Sequence, residues 1–471
     1  MTSASTGPIP PSGCPAHEGR ELLYGPEFAA DPGAVYTRMR ERHGSIAPVE
    51  LAPGVPANLV FGYAASLEVL REPSTFPRDP RRWQERQQPD NPVLPMMGYR
   101  PNCLFTDGAV HARLRSAVTN SLSRVDPHML RDYVENTARD LIGRFSHRGS
   151  ADLLGEYATS VSLGVFNHLF GCPPELGERL LNAMRGIFDM DDPAKANAEL
   201  GQSMAELVAL KRGSPGADLP SWMAAHPARL TDEELLHQLI LMMGAGTEPQ
   251  QNLIANGVRL LLADDRFAGD LAGGSMPVEE ALEEILWTDP PIANYSASYP
   301  WNDLDFLGAR LPADQPLVIG YAAANTDPAL AGSHRSGNRA HLAWGAGVHT
   351  CPAQLPARII ASAAIETLLD ALPDLRLAVP AERLVWRQGP FHRALTALPV
   401  NFTPVVAPTA AAPPAAPVPT TTQSGERRWT TPPALSSSTP PAETSTARES
   451  GSANAVPRRW WNSLARWWRG R

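Results

Sequence analysis

The stretch HLAWGAGVHTCPAQ, residues 341–354, places one cysteine, Cys351, at the end of a glycine-rich turn. Glycines at 345 and 347 allow the backbone to turn tightly and to approach another group closely. The Ala- and Leu-rich segment at 353–372 predicts a long helix, so we expect Cys351 at a helix N-terminus, where thiolate is favoured over thiol. A thiolate on such a turn is a good ligand for a soft metal. The alternative for an isolated cysteine is a small buried apolar residue.

The composition narrows the class of protein. The 471 residues contain four cysteines and carry a formal net charge of −8. An acidic balance argues against nucleic-acid binding. The cysteines are widely spaced and form no CxxC pair, so we expect a reducing, cytoplasmic compartment. No window reaches the ~18 uninterrupted apolar residues that a membrane span needs.

Composition also divides the chain into four parts. We expect a flexible N-terminus at 1–25, a mainly helical domain at 26–404, a linker at 405–456 and a short helix at 457–471. The linker is rich in Pro, Ala, Thr and Ser and cannot bury enough apolar surface to fold. Apolar runs and helical periodicity in the domain predict strands at 57–63 and 315–323, and helices at 151–170, 231–246, 252–262 and 277–287.

Five segments, in order along the chain, resemble motifs of the bacterial cytochromes P450, the haem-thiolate monooxygenases. WGAGVHTC at 344–351 is similar to the FxxGxHxC haem loop of that family. HARLR at 111–115 is similar to its HxxxR motif, which places both polar side chains on one helical face. The other similar segments are GAGTEPQQNLIANG at 244–257, EEILWTDPP at 283–291 and AAANTDP at 322–328.

The resemblance implies a mainly α haem-thiolate fold with a small β region, followed by a disordered C-terminal tail. It implies haem b as the cofactor, Cys351 as the ligand of its iron, and Trp344 and Gly345 beside it in the same loop. His111, Arg115 and His349 would face the haem propionates.

The implied reaction is insertion of one oxygen atom into an apolar small molecule. Electrons would originate from NAD(P)H and arrive through a separate ferredoxin and ferredoxin reductase. Glu248 stands at the family's I-helix acid position, and we expect it to act in catalysis with Thr247 and Gln250.

The sequence departs from the family where the ExxR motif is expected. Glu284 is in place, but Trp287 stands at the arginine position. The chain resembles an actinobacterial branch of the family that also carries Trp there. The indole N–H can donate one hydrogen bond but carries no charge. We expect Glu284 to need another donor, for which Arg335 is a candidate.

The I-helix alcohol is also missing, because Pro249 follows Glu248. Proline cannot donate a proton, and it removes one helical hydrogen bond. Thr247, Gln250 and water are the candidates that would replace the alcohol. One alternative function is therefore an oxygenase that couples dioxygen activation poorly and uses peroxide as its oxidant.

Two departures concern how haem would be held. Pro352 follows Cys351 directly and has no N–H for the sulfur, which predicts a more electron-rich thiolate than a Pro352→Leu variant would have. The segment IANYSASYP at 292–300 lacks the arginine that the family often has there. His111, Arg115 and His349 would then carry most of the propionate binding.

The tail RRWWNSLARWWRGR ends the chain. Wound as a helix, it places its Trp and Leu residues on one side and Arg residues on the other within 458–469. This pattern is typical of a helix on an anionic membrane surface, so the protein would be peripheral to the inner membrane face. A partner-docking helix and a disordered end are the alternatives for the tail.

A haem-binding sensor or scaffold with little activity is the alternative to an enzyme for the whole protein.

Overall fold

The computed structural model describes residues 19–89, 91–188, 193–264, 278–330 and 337–405. Helices account for most of these ranges. They are α1 (Pro26–Ala30), α2 (Pro32–His43), α3 (Tyr63–Arg71), α4 (Arg81–Gln84), α5 (Leu94–Met97), α6 (Gly108–Leu122), α7 (Pro127–Phe145), α8 (Thr159–Leu169), α9 (Pro174–Phe188), α10 (Pro193–Gly213), α11 (Leu219–Ala224), α12 (Asp232–Ala263), α13 (Val278–Thr288), α14 (Tyr321–Asn325) and α15 (Gln354–Ala371).

The strands are short and form three sheets. They are β1 (Glu21–Leu22), β2 (Ile46–Ala52), β3 (Val55–Val60), β4 (Ser150–Asp152), β5 (Asn294–Ser298), β6 (Leu304–Phe306), β7 (Ala309–Leu311), β8 (Leu317–Gly320), β9 (Arg376–Leu377) and β10 (Pro399–Asn401). The largest sheet has the order β1-β2-β3-β8-β5, with β3 and β8 parallel and β8 and β5 antiparallel. The mainly α fold with a small β region is confirmed.

The longest helix, α12, begins with the capping box that its Thr-x-x-Glu pattern predicts. Thr231 Oγ1 accepts from the Glu234 N–H at 3.1 Å, and the Glu234 carboxylate accepts from the Thr231 N–H at 3.0 Å. The helices predicted at 231–246 and 252–262 are parts of one helix of 32 residues, because α12 continues through Pro249, as the resemblance of 244–257 to the family's I helix implies. Proline lacks the N–H for one hydrogen bond of the ladder, and the buried residues on both sides of it keep the helix packed.

The remaining predicted elements are found with shifted ends. The strands predicted at 57–63 and 315–323 end at Val60 and Gly320, and a helix starts soon after each one. The segment 151–170 begins as β4 and a single π-helical turn, Leu154–Ala158, before α8. The helix predicted at 277–287 is α13.

One close contact fixes α12 against α8. A Cβ on Gly246 would lie 1.9 Å from Cζ of Phe166 on α8, so glycine leaves the space that the ring occupies. The tyrosine hydroxyl of Tyr157 donates to the Ala364 carbonyl of α15 at 2.6 Å in the same core. The middle of α12, which carries Thr247, Glu248 and Gln250, is therefore set by tight packing.

Within the described ranges, no helix is long and apolar enough to cross a membrane. The predicted N-terminal segment up to residue 18, the linker from 406 and the helix at 457–471 lie outside the described residues.

Candidate active site

The Cys351 loop is a tight turn held by its own backbone. The Gly345 N–H donates to Leu342 O at 2.7 Å, and the Cys351 N–H donates to Trp344 O at 2.8 Å. Gly345 and Gly347 have φ of 69° and 71°, in the left-handed region. A Cβ on Gly347 would also lie 2.3 Å from Leu70 O, so this glycine lets the loop rest against the end of α3.

The predicted preference of Cys351 for thiolate is wrong for the free side chain. Burial raises the pKa of the Cys351 thiol, while the Ala353 N–H and the charge of Arg115 act in the opposite direction. The helix after the loop begins only at Gln354, so its free N–H groups do not outweigh the loss of solvent. Coordination to a metal deprotonates a thiol outright. Pro352 does remove one donor, but the Ala353 N–H supplies another.

The structure brings His111, Arg115 and His349 together beside this loop. The His111 ring contacts Cys103 O at 2.9 Å through Nδ1 and Val348 O at 3.2 Å through Nε2. Its centroid lies 4.0 Å from that of His349. The Arg115 guanidinium donates to Thr350 O. Three side chains that can carry a positive charge or donate a hydrogen bond therefore join helix α6 to the Cys351 loop.

Asp107, the residue before α6, completes this group. Its Oδ1 lies 3.2 Å from His349 Nε2, and its Oδ2 accepts from the Arg78 N–H at 2.6 Å. Burial lowers the pKa of His349 to about 4, although the bond to Asp107 acts to raise it. Sequence reasoning did not single out Asp107 or Arg78, because neither falls in a motif.

The three residues expected in catalysis face different neighbours. Glu248 forms an ion pair with the Arg387 guanidinium and lies 3.8 Å from His392 Nδ1. The Thr247 hydroxyl donates to Met243 O at 2.8 Å, and the Gln250 amide donates to Ala357 O of α15 at 3.2 Å. Burial lowers the pKa of His392 to about 3, so Arg387 is the cation that balances Glu248 at neutral pH. Arg387 falls in no motif, so sequence patterns do not reveal it.

The region of the missing ExxR arginine is organised around a neighbouring carboxylate. Glu283 forms an ion pair with Arg358 and lies 3.3 Å from His341 Nε2 and 3.6 Å from Arg339 Nε. The buried Trp287 donates from Nε1 to Asn338 O at 2.8 Å. Glu284 is half-buried on the same helix, and its predicted partner Arg335 lies outside the described residues.

The residues of the Cys351 loop fit a haem group. They offer a soft sulfur donor on a glycine turn, with His111, Arg115 and His349 beside it for two carboxylates. The indole N–H of Trp344 is buried and has no hydrogen-bond partner among the described residues. A bound group at the loop is a natural partner for such an orphaned donor.

Known proteins are similar to this chain in sequence. The chain is 31% identical over 393 residues to the cytochrome P450 monooxygenase PikC of Streptomyces venezuelae, covering 80% of this chain and 92% of PikC. The chain belongs to the cytochrome P450 family. It is also 30% identical over 402 residues to the vitamin D(3) 25-hydroxylase of Pseudonocardia autotrophica, covering 81% of this P450 and 96% of the relative.

Solved structures agree with this membership. CYP154C4 from Streptomyces sp. ATCC 11861 matches this P450 with a TM-score of 0.74 and 28% identity, over 81% of this chain and 98% of the other. The myxobacterial CYP267B1, solved with myristic acid, matches with a TM-score of 0.71 and 27% identity, over 81% and 98%. No protein-family model matches the chain. This P450 is thus related to bacterial haem monooxygenases that act on small molecules with electrons from redox partners.

Proposed function

We propose that this P450 binds haem b through Cys351 and oxygenates an apolar small molecule with electrons from a separate ferredoxin. The observation that carries the proposal is the convergence of His111, Arg115 and His349 on the Cys351 loop. The relative named as a hydroxylase of vitamin D(3), a large apolar molecule, supports the substrate class. We also propose that this P450 belongs to the branch of the family that carries Trp at the position of Trp287.

Bound haem supplies the iron that activates dioxygen, and thiolate ligation favours cleavage of the O–O bond. Cys351 would hold the haem iron through its sulfur, to which the Ala353 N–H donates. His111, Arg115 and His349 would hold the propionates. Trp344 would place its unpartnered indole N–H at the edge of the group.

Proton supply is the part of the reaction for which this chain must differ from its family. Pro249 has no hydroxyl, Thr247 uses its hydroxyl hydrogen on Met243 O, and the Gln250 amide is held by α15. We assign proton transfer to the Glu248 carboxylate, which follows Thr247 on α12 and forms an ion pair with Arg387.

Glu248→Gln tests this assignment. General acid–base groups contribute about 10²- to 10⁴-fold, so turnover supported by NAD(P)H, ferredoxin and ferredoxin reductase should fall by about that factor. Turnover supported by hydrogen peroxide, which brings its own protons, should fall less than threefold. Glu233→Gln, which makes the same change at an exposed residue of α12, is the control. Equal losses with both oxidants would remove Glu248 from proton transfer.

Haem ligation needs its own measurement. The reduced, carbon monoxide-bound protein should show the red-shifted Soret band of thiolate-ligated haem, and Cys351→His should abolish it. Cys172→Ala changes a thiol outside the loop and should keep the band. A wild-type spectrum without the thiolate band would overturn the ligand assignment and favour a sensor or scaffold.

We further propose that the basic Trp-rich segment 458–469 binds an anionic membrane surface while the linker 405–456 leaves the haem domain free. The sequence pattern of this segment supports the proposal. A fluorescent protein fused to 453–471 should sediment with vesicles that contain anionic phosphatidylglycerol, and a fusion with the four Trp changed to Ser should not. Retention of the first fusion in the aqueous phase would contradict the proposal.

A further inference from the structure

Arg78 is a buried cation with no ion pair in the part of the chain that the structure describes. Only 4% of the Arg78 residue is exposed to solvent. The guanidinium donates to the Ser296 carbonyl, and to the Ala297 carbonyl at 3.2 Å. Among the described residues no carboxylate forms an ion pair with it, and its pKa is lowered by burial. Buried guanidinium groups are rare unless an anion balances them.

The position of Arg78 indicates where that anion would lie. Its backbone N–H is bound to the same Asp107 carboxylate that holds His349. The charge of Arg78 acts on His349, whose ring packs on His111. Both oxygens of Asp107 are already engaged by N–H groups. Of the residues named here beside the Cys351 loop, Arg78 and Arg115 thus carry two positive charges, and Asp107 carries one negative charge.

The backbone that meets Arg78 is shaped for it. Ser296 has a φ of 55°, which a non-glycine residue rarely adopts. Its Oγ is hydrogen-bonded to the Tyr321 hydroxyl. A Cβ on Gly345 would lie 3.7 Å from that hydroxyl, so Tyr321 also borders the Cys351 loop. Strand β5 thus turns its carbonyls to a guanidinium that comes from a distant part of the chain, although β5 itself has no arginine.

We propose that Arg78 binds a carboxylate of the haem, together with His111, Arg115 and His349. The inference rests on haem binding at Cys351. The inference places a haem propionate contact in the segment before α4, and this segment matches no motif of the family. Because the guanidinium has five N–H groups in a fixed fork, it can keep its carbonyl contacts and still donate to one carboxylate oxygen.

Haem esterified at both carboxylates separates this role from a structural one. Full-length protein carrying either haem or haem dimethyl ester is mixed with excess apomyoglobin, and the rate of haem loss is followed by absorbance. In Arg78→Met we expect loss of haem to be at least tenfold faster than in wild type, and loss of the dimethyl ester to change less than twofold. Arg81→Met, an exposed residue paired with Asp79, should change neither rate.

Equal acceleration of both cofactors in Arg78→Met would reduce Arg78 to a structural residue and overturn the proposal, as would no change in either. If Arg78→Met does not fold, Arg78→Lys keeps the charge and should lose haem less than threefold faster than wild type. A large haem-specific increase in Arg78→Lys would be against a charge-based contact. Wild-type protein without the thiolate band would instead refute the haem site itself, which makes the two failures distinct.

Discussion

Trp287→Arg would restore the residue of the family's ExxR motif, and we expect it to destabilise this P450. Trp287 is 3% exposed, donates one hydrogen bond to Asn338 O and packs edge-on against His341 at 5.7 Å. Burial of a Trp side chain removes about 200 Å² from water, worth about 5 kcal/mol at ~25 cal/mol per Å². The methylene groups of Arg recover roughly half of this. The lost hydrogen bond adds about 1 kcal/mol.

The new guanidinium would also enter a region rich in cations. Arg358, Arg339 and His341 already surround Glu283. Removing another cation from water costs several kcal/mol, which a carboxylate offsets only in part. The combined effect should lower the free energy of unfolding by about 3–5 kcal/mol.

Urea unfolding of the haem-loaded protein, followed by far-ultraviolet circular dichroism, measures this difference. Trp287→Phe is the matched control, because it keeps an aromatic ring and loses the indole N–H, and it should cost about 1–2 kcal/mol. An arginine variant as stable as wild type would refute the reasoning. It would mean that a carboxylate of α13 accepts the new cation and that electrostatics outweighs packing.

Three further outcomes are expected. Gly347→Ala should lower the haem occupancy of the purified protein severalfold, measured as the ratio of Soret to protein absorbance. Gly345→Ala should lower it less, because its added Cβ meets nothing closer than 3.7 Å. The reverse order would be inconsistent with the contact between Gly347 and α3. Lys211 and Asp218 form a buried pair at 2.5 Å, so Lys211→Met should cost about 3–5 kcal/mol in urea unfolding and the added change Asp218→Asn should recover most of it; no recovery would exclude an uncompensated carboxylate as the cause. Burial lowers the pKa of His341 from 6.5 to about 4, so the unfolded chain binds a proton that the folded protein does not, and stability should fall by about 2 kcal/mol between pH 6.5 and pH 5 through this residue. A His341→Gln variant should show a smaller fall over the same pH range, and an identical fall would remove His341 as a source.

Most of the fold and the Cys351 loop could be predicted because their signals are local. Glycine spacing marks the loop, and four-residue spacing places His111 and Arg115 on one face of α6. Periodicity alone predicted α12 as two segments on either side of Pro249, and its continuity followed only from the resemblance of 244–257 to the family's I helix. The thiolate preference of Cys351 was wrong, since burial is not visible in a sequence.

The residues that sequence reasoning missed act through contacts between distant segments. Arg387 lies 139 positions from Glu248, and Arg78 lies 218 positions from Ser296. The contacts of Glu283 with Arg358, His341 and Arg339 depend on the rotation of α13 about its axis. Single arginines in unremarkable segments give no periodic pattern, so only their position in the fold reveals them.

Asp107 stands at the N-cap of α6, but its side chain makes no capping hydrogen bond there. A capping Asp ordinarily stabilises a helix start by about 1 kcal/mol, and here that carboxylate serves Arg78 and His349 instead. The first turn of α6 therefore depends on the cofactor loop for its order. Amide hydrogen exchange at His111 and Ala112, whose N–H groups make the first hydrogen bonds of the helix, should quicken when haem is removed, so that loss of cofactor is registered as local unfolding of the helix that bears His111.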